Sequence, residues 1–379
     1  MGRLPSSVSR PGLIVVAVAL AVSALSAGEF RAMGRSGEVR PGPGVTRVGR
    51  LSDTLPGLAG TPGDTPVYTL AAPAGTVPGG TALILGGTHG DEPAGYLAAV
   101  VLVETARVST GKLIVIPRAN ASGFSYNVPQ EAHPQRFEIA TPRGPRSFTF
   151  GARATNPVHQ WPDPQVYTHR GSGQALSGTE TRNLNRAYPG RADGSLTEQI
   201  AFAITTLIRS EHVALAIDLH EAAPEYPVVN TIVAHERATE LAALVNLELS
   251  GSAVTIGLEP SPKTLHGLSH REWGDSTDTL AVLMETANPA QGRLRGRTDA
   301  ALVVSGRDRY FAAAARRGRL NVPFDDHGWP IDLRVARHVA GVTQFLTDLG
   351  MLDETKAISV AGVPAYDEIV ARGLGAYLR

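Results

Sequence analysis

The chain has 379 residues, with 35 lysines and arginines against 35 aspartates and glutamates, so its formal net charge is zero. Nucleic-acid-binding proteins normally carry an excess of basic residues, and the balanced charge disfavours that class. The sequence contains no cysteine, which excludes disulfides, thiolate nucleophiles and cysteine-containing zinc sites. Any bound metal must therefore be held by His, Asp or Glu.

Residues 1–27 have the pattern of an export signal. Two arginines precede an apolar run from Leu13 to Leu25, and small residues follow at Ser26 and Ala27. This run is shorter than a bilayer span, which needs about 20 residues. We expect cleavage near Ser26 or Ala27 and an extracytoplasmic mature protein, periplasmic or secreted. An uncleaved leader that tethers the protein is the alternative.

Residues 28–65 are rich in Gly, Pro and Arg without clear periodicity, which is typical of a spacer. From residue 66 to residue 379, short apolar runs alternate with helical patterns, which predicts one α/β domain with a largely parallel sheet. Predicted strands cover 67–70, 82–85, 112–116, 214–219, 228–234, 253–258 and 279–284. Predicted helices cover 93–108, 196–209, 236–249, 299–317 and 332–349. Residues 120–194 fit neither period, and a loop region of that length is usually functional.

Two apolar strands lead into histidines. The segment LILGGTHGDEPAG ends a strand in a Gly-rich turn with His89 and, three residues later, Glu92, and ALAIDLHEA places His220 at the end of another strand. Ligand sites gather beyond the carboxyl ends of parallel strands, so we expect these side chains to meet. Each residue alone is better explained as a capping or core residue. Together they form a His₂Glu set with one position open for water, as in catalytic zinc sites.

Two further segments carry candidate catalytic residues. TLAVLMETANP places Glu285 at the end of an apolar strand, where a carboxylate could exchange a proton with an activated water. The alternative is a strand-end glutamate exposed to solvent. NLNRAYPG contains Asn185 and Arg186. The planar guanidinium of Arg186 suits a substrate carboxylate or an oxyanion, and the alternative is a structural arginine bound to a loop carbonyl.

In order and spacing over about residues 66–350, these segments resemble the zinc carboxypeptidase superfamily, most of all its succinylglutamate desuccinylase and aspartoacylase family. The resemblance implies a zinc carboxypeptidase-like fold, in which a mostly parallel mixed sheet is flanked by helices. It also implies Zn²⁺ as the cofactor and roles for six residues: zinc ligands His89, Glu92 and His220, catalytic Glu285 and Arg186, and substrate-binding Asn185 and Arg186.

The sequence departs from the family pattern at the first residue of one motif and at a tyrosine, and it leaves the position of one arginine open between two residues. The family's DLNR motif begins with Asn183 here, so a charge behind the ligands is missing. A further family arginine corresponds to Arg170 or Arg182. The family's substrate-contacting tyrosine has no counterpart in residues 235–285. That interval instead contains His266, His270 and Trp273. One of the two histidines taking the role of the tyrosine is an alternative, but we expect both to anchor loops or lie at the surface.

The function implied by the resemblance is an exported zinc-dependent deacylase that cleaves an amide bond in a small N-acyl amino acid or a similar carboxylate-bearing substrate. A zinc carboxypeptidase acting on short or cell-wall peptides is the alternative, and a non-catalytic binding protein is a third possibility. We expect no nucleic-acid partner and no membrane contact beyond the leader. Asp218 is expected to be structural, and Glu221 to lie at the rim of a loop.

Overall fold

The computed structural model describes residues 10–33, 39–128, 133–252 and 254–379. Its strands are β1 (Arg47–Arg50), β2 (Pro66–Ala71), β3 (Thr81–Leu85), β4 (Arg107–Thr110), β5 (Lys112–Ile116), β6 (Arg136–Ile139), β7 (Arg146–Thr149), β8 (Val166–Thr168), β9 (Ala175–Ser177), β10 (Leu215–Ala222), β11 (Thr231–Ala234), β12 (Gly257–Pro260), β13 (Leu280–Ala287) and β14 (Ser359–Ala361). Its helices are α1 (Arg10–Met33), α2 (Pro93–Thr105), α3 (Leu196–Ser210), α4 (Thr239–Gly251), α5 (Ser269–Ser276), α6 (Ala300–Ser305), α7 (Arg309–Ala315), α8 (Ile331–Leu352) and α9 (Tyr366–Arg372).

The main sheet has eight strands in the order β1-β2-β5-β3-β10-β13-β11-β12. Its central strands β5, β3, β10 and β13 are all parallel to one another, and so are β11 and β12. The pairs β1–β2, β2–β5 and β13–β11 are antiparallel. The predicted α/β class with a mostly parallel mixed sheet is therefore confirmed.

The sheet is buried on both faces, which explains its apolar strands. In β3, Ala82 and Ile84 pack into the core beneath α2, α4 and α8, whereas Leu83 and Leu85 face the core beneath α3. Successive side chains of a strand point to opposite faces, so a strand covered on both sides is apolar throughout. The unbroken run TALIL follows from this constraint.

Two strands near the centre are longer than predicted. β10 does not end at Leu219 but continues to Ala222, and β13 does not end at Met284 but continues to Ala287. Polar residues are tolerated at the ends of these two strands because they pair with other buried polar groups. His220 and Glu285 consequently lie within strands and not after them.

Other boundaries also differ from the prediction. The helix predicted to reach residue 108 ends at Thr105, and β4 follows it and pairs with β14. The helix predicted for 299–317 is interrupted because Gly306 has a left-handed φ of 64° that ends α6, and Asp308 caps α7. The predicted strand 253–258 starts at Gly257, and residue 253 is outside the described residues. Residues 120–194 include the hairpins β6–β7 and β8–β9.

The segment predicted as a spacer is largely part of the domain. β1 is the edge strand of the main sheet, and the side chains of Leu51 and Leu58 are completely buried. These two leucines pack in the same core as α3, so the described residues from 39 onward are held by burial as well as by pairing with β2. The spacer prediction is wrong for this part of the chain.

The N-terminal apolar run lies in the exposed helix α1. Within the described residues, Arg10–Gly28 is the one stretch long and apolar enough to cross a bilayer, and a signal sequence meets the same criteria. The helix continues to Met33, past the predicted cleavage position. Residues 1–9 and 34–38 lie outside the described residues.

Candidate metal centre

The first half of the site is formed by the turn between β3 and α2. Gly87 has a φ of 65°, a left-handed conformation that glycine adopts without strain, and it turns the chain so that His89 is directed inward. α2 then begins at Pro93, which is favourable at the first helical position because that position needs no N–H donor. Glu92, the residue just before the helix, is buried, as is His89.

The second half is formed by β10 and β13. His220 is in register with Glu285 on the neighbouring parallel strand, so both side chains emerge on the same side of the sheet. α2 crosses β10 closely at Gly95. A Cβ added to this glycine would lie only 2.2 Å from the carbonyl oxygen of Leu219. This close approach brings the start of α2, and with it Glu92, beside His220.

The predicted ligand set is assembled around the Glu92 carboxylate. His89 Nδ1 lies 2.7 Å from Glu92 Oε1, and His220 Nδ1 lies 2.8 Å from Glu92 Oε2. One candidate ligand atom from each residue lies within 4.8 Å of the others. The three residues therefore surround one point, as the sequence motifs predict.

The outer nitrogen of each histidine is held by a second polar side chain. His89 Nε2 is 2.9 Å from Asn183 Oδ1, and His220 Nε2 is 2.9 Å from Asp218 Oδ2. Such contacts orient imidazole ligands and leave the inner nitrogen free to bind a metal. Asp218, expected to be structural, lies on the same strand face as His220, because residues two apart share a face. Thr88 Oγ1 also donates to Asp218 Oδ1 at 2.9 Å.

The electrostatic environment shifts the pKa values of the two histidines in opposite directions. Burial lowers the pKa of His89 to about 4, and the charge of Arg153 adds to this effect. Burial also acts to lower the pKa of His220, but Asp218 and Glu92 outweigh it and raise that pKa well above its ordinary value. For Glu92, burial is outweighed by the two histidines, so its pKa falls well below its usual range.

The donor set fits a zinc ion. Two imidazoles and one carboxylate are the protein ligands of many catalytic zinc sites. Here their ligating atoms converge, while the outer nitrogen of His89 is hydrogen-bonded to Asn183 and that of His220 lies at ion-pair distance from Asp218. Neutral imidazole is the form of histidine that binds metals. The lowered pKa of His89 favours that form, whereas Asp218 and Glu92 raise the pKa of His220. The site residues His89, Glu92 and His220 could thus hold the ion together.

Glu285 lies beside His220 but is not one of the three residues whose ligand atoms converge. Its carboxylate oxygen Oε2 is buried and has no hydrogen-bond partner among the described residues. Burial raises the pKa of Glu285 well above its usual range; His220 opposes the rise and Glu92 adds to it. A carboxyl group whose pKa is raised in this way is suited to accepting and returning a proton.

A pocket of about 520 Å³ opens over the cluster and contains all six predicted site residues. Asn185 Oδ1 accepts a hydrogen bond from the Ser269 backbone N–H at 2.8 Å, while no acceptor among the described residues bonds its Nδ2. Arg186 Nη1 donates to the Asn185 carbonyl at 2.7 Å, and its Nε lies 3.8 Å from Glu180. One nitrogen of the Arg186 guanidinium thus bonds a loop carbonyl, as in the structural alternative, and a second lies near Glu180.

Sequence reasoning missed Arg153. Its Nη1 lies 3.3 Å from His89 Nδ1 and 3.5 Å from Glu92 Oε1, so it is the arginine nearest the ligand cluster in the described residues. The two candidates named from the sequence are elsewhere: Arg182 forms an ion pair with Asp163 at 2.7 Å, and Arg170 is exposed beside a separate depression. Arg153 stands in a loop with no surrounding motif, so no local signal marks it.

Glu221 is buried and not at a rim. Its Oε1 pairs with Arg334 Nη1 at 2.6 Å, and both side chains are fully buried. Its backbone N–H donates to Glu92 Oε2 at 3.1 Å, and Gln291 Nε2 donates to Glu92 Oε1 at the same distance. Glu221 therefore helps to fix the ligand carboxylate from within the sheet.

The histidine-rich interval before Glu285 forms α5 and the loop before it. Trp273 is completely buried, and His266 lies at 3.0 Å from Glu272. His270 lines the pocket, and neither of its ring nitrogens has a hydrogen-bond partner among the described residues. His270 is therefore buried, so the surface alternative is wrong for this histidine.

A larger depression of about 770 Å³ lies at the opposite edge of the sheet. It is lined by residues just before the starts of β3, β10 and β13, namely Gly80, Ala214 and Thr279. None of the predicted site residues borders it. The candidate chemistry is thus at the carboxyl edge of the parallel strands, where ligand sites of such sheets are found.

No family model matches the chain, and no curated protein matches it. Solved structures that are similar to it include a succinylglutamate desuccinylase from Silicibacter (20% identity, TM-score 0.39, 61% of this chain and 55% of that one). Another is a succinylglutamate desuccinylase/aspartoacylase from Rhodobacter sphaeroides (15% identity, TM-score 0.35, 61% and 54%). A third is a metallo-carboxypeptidase from Burkholderia cenocepacia (13% identity, TM-score 0.47, 82% and 66%).

These solved structures bear the names of the families that the motifs indicate. The chain spans just over half the length of the first two and 66% of the third. The TM-scores are all below 0.5. Activity, substrate and partners are consequently inferred from the site's own residues.

We expect Asp218→Asn to weaken zinc affinity by about 10- to 100-fold, the usual effect of losing a partner behind a ligating histidine. The amide has nearly the size of the carboxylate but lacks its charge. Competition with a chelator of known affinity measures the change. The matched control is Asp348→Asn, which alters a different buried aspartate, one that lies on α8 and not on β10. Equal zinc affinity in wild type and Asp218→Asn would contradict the orienting role.

Proposed function

We propose that this protein is an exported zinc-dependent amidohydrolase that cleaves an amide bond in a small carboxylate-bearing substrate such as an N-acyl amino acid. The observation that carries the proposal is the alignment of His220 with Glu285 on adjacent parallel strands. It puts a proton-accepting carboxylate next to the His₂Glu cluster, inside a pocket that also contains two arginines.

His89, Glu92 and His220 would hold the zinc ion. When bound, zinc supplies a Lewis acid for an amide carbonyl and lowers the pKa of a water to about 7. Glu285 takes the proton of the attacking water and returns it to the nitrogen of the leaving amine. Burial suits both steps, since it raises the pKa of Glu285 and so makes the carboxyl a stronger proton acceptor.

The two arginines have different positions and therefore different roles. Arg153 is next to the ligand cluster and is placed to stabilise the negative oxygen that develops when the carbonyl is attacked. Arg186 is next to Asn185, further along the pocket, and is placed to bind the substrate carboxylate with that amide. The burial of Arg186, reinforced by the charge of Arg153, lowers its pKa and makes a bound anion favourable.

A zinc carboxypeptidase remains the second candidate because it requires the same groups. In both reactions the amide lies close to a free carboxylate, and only the part of the substrate on the acyl side differs. Hydrolysis of a mixed panel of N-acyl amino acids and short peptides by the zinc-loaded protein separates the two. Cleavage of neither kind of substrate would contradict the proposed function.

We expect Glu285→Gln to keep its zinc and lose roughly 10²- to 10⁴-fold in kcat, the usual contribution of a general acid or base. The substitution preserves size but removes the proton acceptor. Zinc content and kcat are measured on the same sample, with Glu248→Gln, an exposed site on α4, as the control. An unchanged kcat would assign the proton transfer to another group.

We expect Arg186→Lys to lower kcat/KM by about 10-fold on a substrate with a free carboxylate, because lysine keeps the charge but cannot make two parallel hydrogen bonds. The advantage of the acid over the matching carboxamide should narrow in the same variant. The measurement is kcat/KM for the acid and amide pair on both proteins. Equal cleavage of the pair by wild type would refute carboxylate binding by Arg186.

Export is proposed from the N-terminal apolar segment. The mature protein is expected to begin near Gly28 in the extracytoplasmic space, with an uncleaved α1 as the alternative form. N-terminal sequencing of the protein recovered from fractions of its native host tests this expectation. An intact Met1 on soluble cytoplasmic protein would contradict export.

A further inference from the structure

Part of the lining of this pocket is apolar. This part comes from the loop before β11, from β11 and β13, from the end of β12 and from the segment between β12 and α5. We call the following lining residues the apolar wall: Val228, Val233, Pro260, Leu265, Leu268 and Leu283. Val228 is 42% exposed although it is a large aliphatic residue. An aliphatic surface left open beside a reaction site gains stability when a ligand covers it.

Among the described residues, the cations that line the pocket are Arg153 and Arg186, which are assigned above to the developing oxyanion and to the substrate carboxylate. No further cation among these residues lines the pocket there to balance a second anionic group of a ligand. Lys263, in the segment that carries Leu265, lies 3.4 Å from Glu236 and does not line the pocket. His270 faces the wall, but burial lowers its pKa to about 3, so the imidazole is neutral near pH 7. The carboxylates of Glu259 and Glu285 also line this side. A second carboxylate on a substrate would therefore meet apolar surface and like charge here.

The apolar wall is joined directly to the residues assigned to the substrate carboxylate. The Ser269 N–H bonds Asn185, as described above, and the Tyr188 N–H donates to the Gly267 carbonyl at 3.3 Å. A Cβ added at Gly267 would lie 2.1 Å from the Arg186 carbonyl oxygen. The segment with Leu265 and Leu268 thus packs against Asn185 and Arg186. A side chain on the carbon next to a carboxylate held by Arg186 would therefore be within reach of this segment.

We propose that the apolar wall binds the side chain of the amino acid whose carboxylate Arg186 holds. The substrates are then N-acyl or peptidyl derivatives of aliphatic and aromatic amino acids, and derivatives of aspartate and glutamate are excluded by the missing cation. This inference rests on the proposed function, whose site and reaction it makes more specific.

The first test compares substrates that share one acyl group. N-acetyl-leucine and N-acetyl-phenylalanine are set against N-acetyl-aspartate and N-acetyl-glutamate, and alanyl-leucine is set against alanyl-aspartate. Zinc-loaded wild type should show kcat/KM values about 10- to 100-fold higher for the apolar members, the range expected when a side chain fills or fails to fill an apolar pocket. Acidic members cleaved as well as apolar ones would overturn the inference.

A second test introduces the missing cation. Val228→Arg should lower kcat/KM for N-acetyl-leucine and raise it for N-acetyl-aspartate by about 10-fold each, and so reverse much of the preference. Val158→Arg, at an 87% exposed valine that does not line the pocket, is the matched control and should leave both values unchanged. If Val228→Arg showed the same ratio of kcat/KM for N-acetyl-leucine to kcat/KM for N-acetyl-aspartate as wild type, the inference would be overturned.

Binding without turnover provides an independent measurement. In Glu285→Gln, Kd for N-acetyl-leucine should be about 10-fold lower than Kd for N-acetyl-aspartate by titration calorimetry, and the reverse order would refute the inference. The outcomes are distinguishable from failure of the proposed function. Hydrolysis of no substrate by wild type would overturn both, whereas hydrolysis with a preference for acidic substrates would overturn the substrate class alone.

Discussion

The arrangement of the site depends on one buried carboxylate, that of Glu92, placed between two imidazole nitrogens. An ionised carboxylate is costly to bury unless charged or polar partners surround it. Here each oxygen of Glu92 faces a histidine Nδ1, and Gln291 and the Glu221 N–H add further hydrogen bonds. The groups that compensate the buried charge are also those that define the position of a cation.

The rest of the fold keeps these groups within reach of one another. The left-handed turn at Gly87 and the helix start at Pro93 place His89 and Glu92 at the edge of β3. The close crossing of α2 over β10 brings them to His220, and the register with β13 adds Glu285. A shift of one residue between β10 and β13 would send one of these two side chains to the other face of the sheet. The catalytic proposal therefore depends on sheet register as much as on residue identity.

The sequence predicts those parts of the site that are encoded locally. His89 and Glu92 stand in one turn, and the apolar strands before His220 and Glu285 identify the edge at which all four meet. Asp218 was also accessible from the sequence, because its separation of two residues from His220 places both side chains on one strand face. The carboxyl ends of β10 and β13 were predicted too short, since buried polar pairs extend a strand beyond its apolar run.

Features created by long-range packing leave little local pattern. Arg153 reaches the ligand cluster from a loop without periodicity, and the contribution of β1 to the sheet becomes clear only when its partner β2 is known. The apolar wall is likewise gathered from separate segments around β11, β12 and β13. Single aliphatic residues in strands and loops give no local sign of a shared role until the fold brings them into the lining of one pocket.

The most direct test of the central claim is the metal content of the purified protein beside that of His220→Ala. Wild type dialysed against zinc and then against buffer should retain one zinc ion per chain by elemental analysis. His220→Ala should lose both the ion and the hydrolytic activity while giving the same circular dichroism spectrum. Full zinc retention and turnover in His220→Ala would contradict the assignment of His89, Glu92 and His220 as the metal centre.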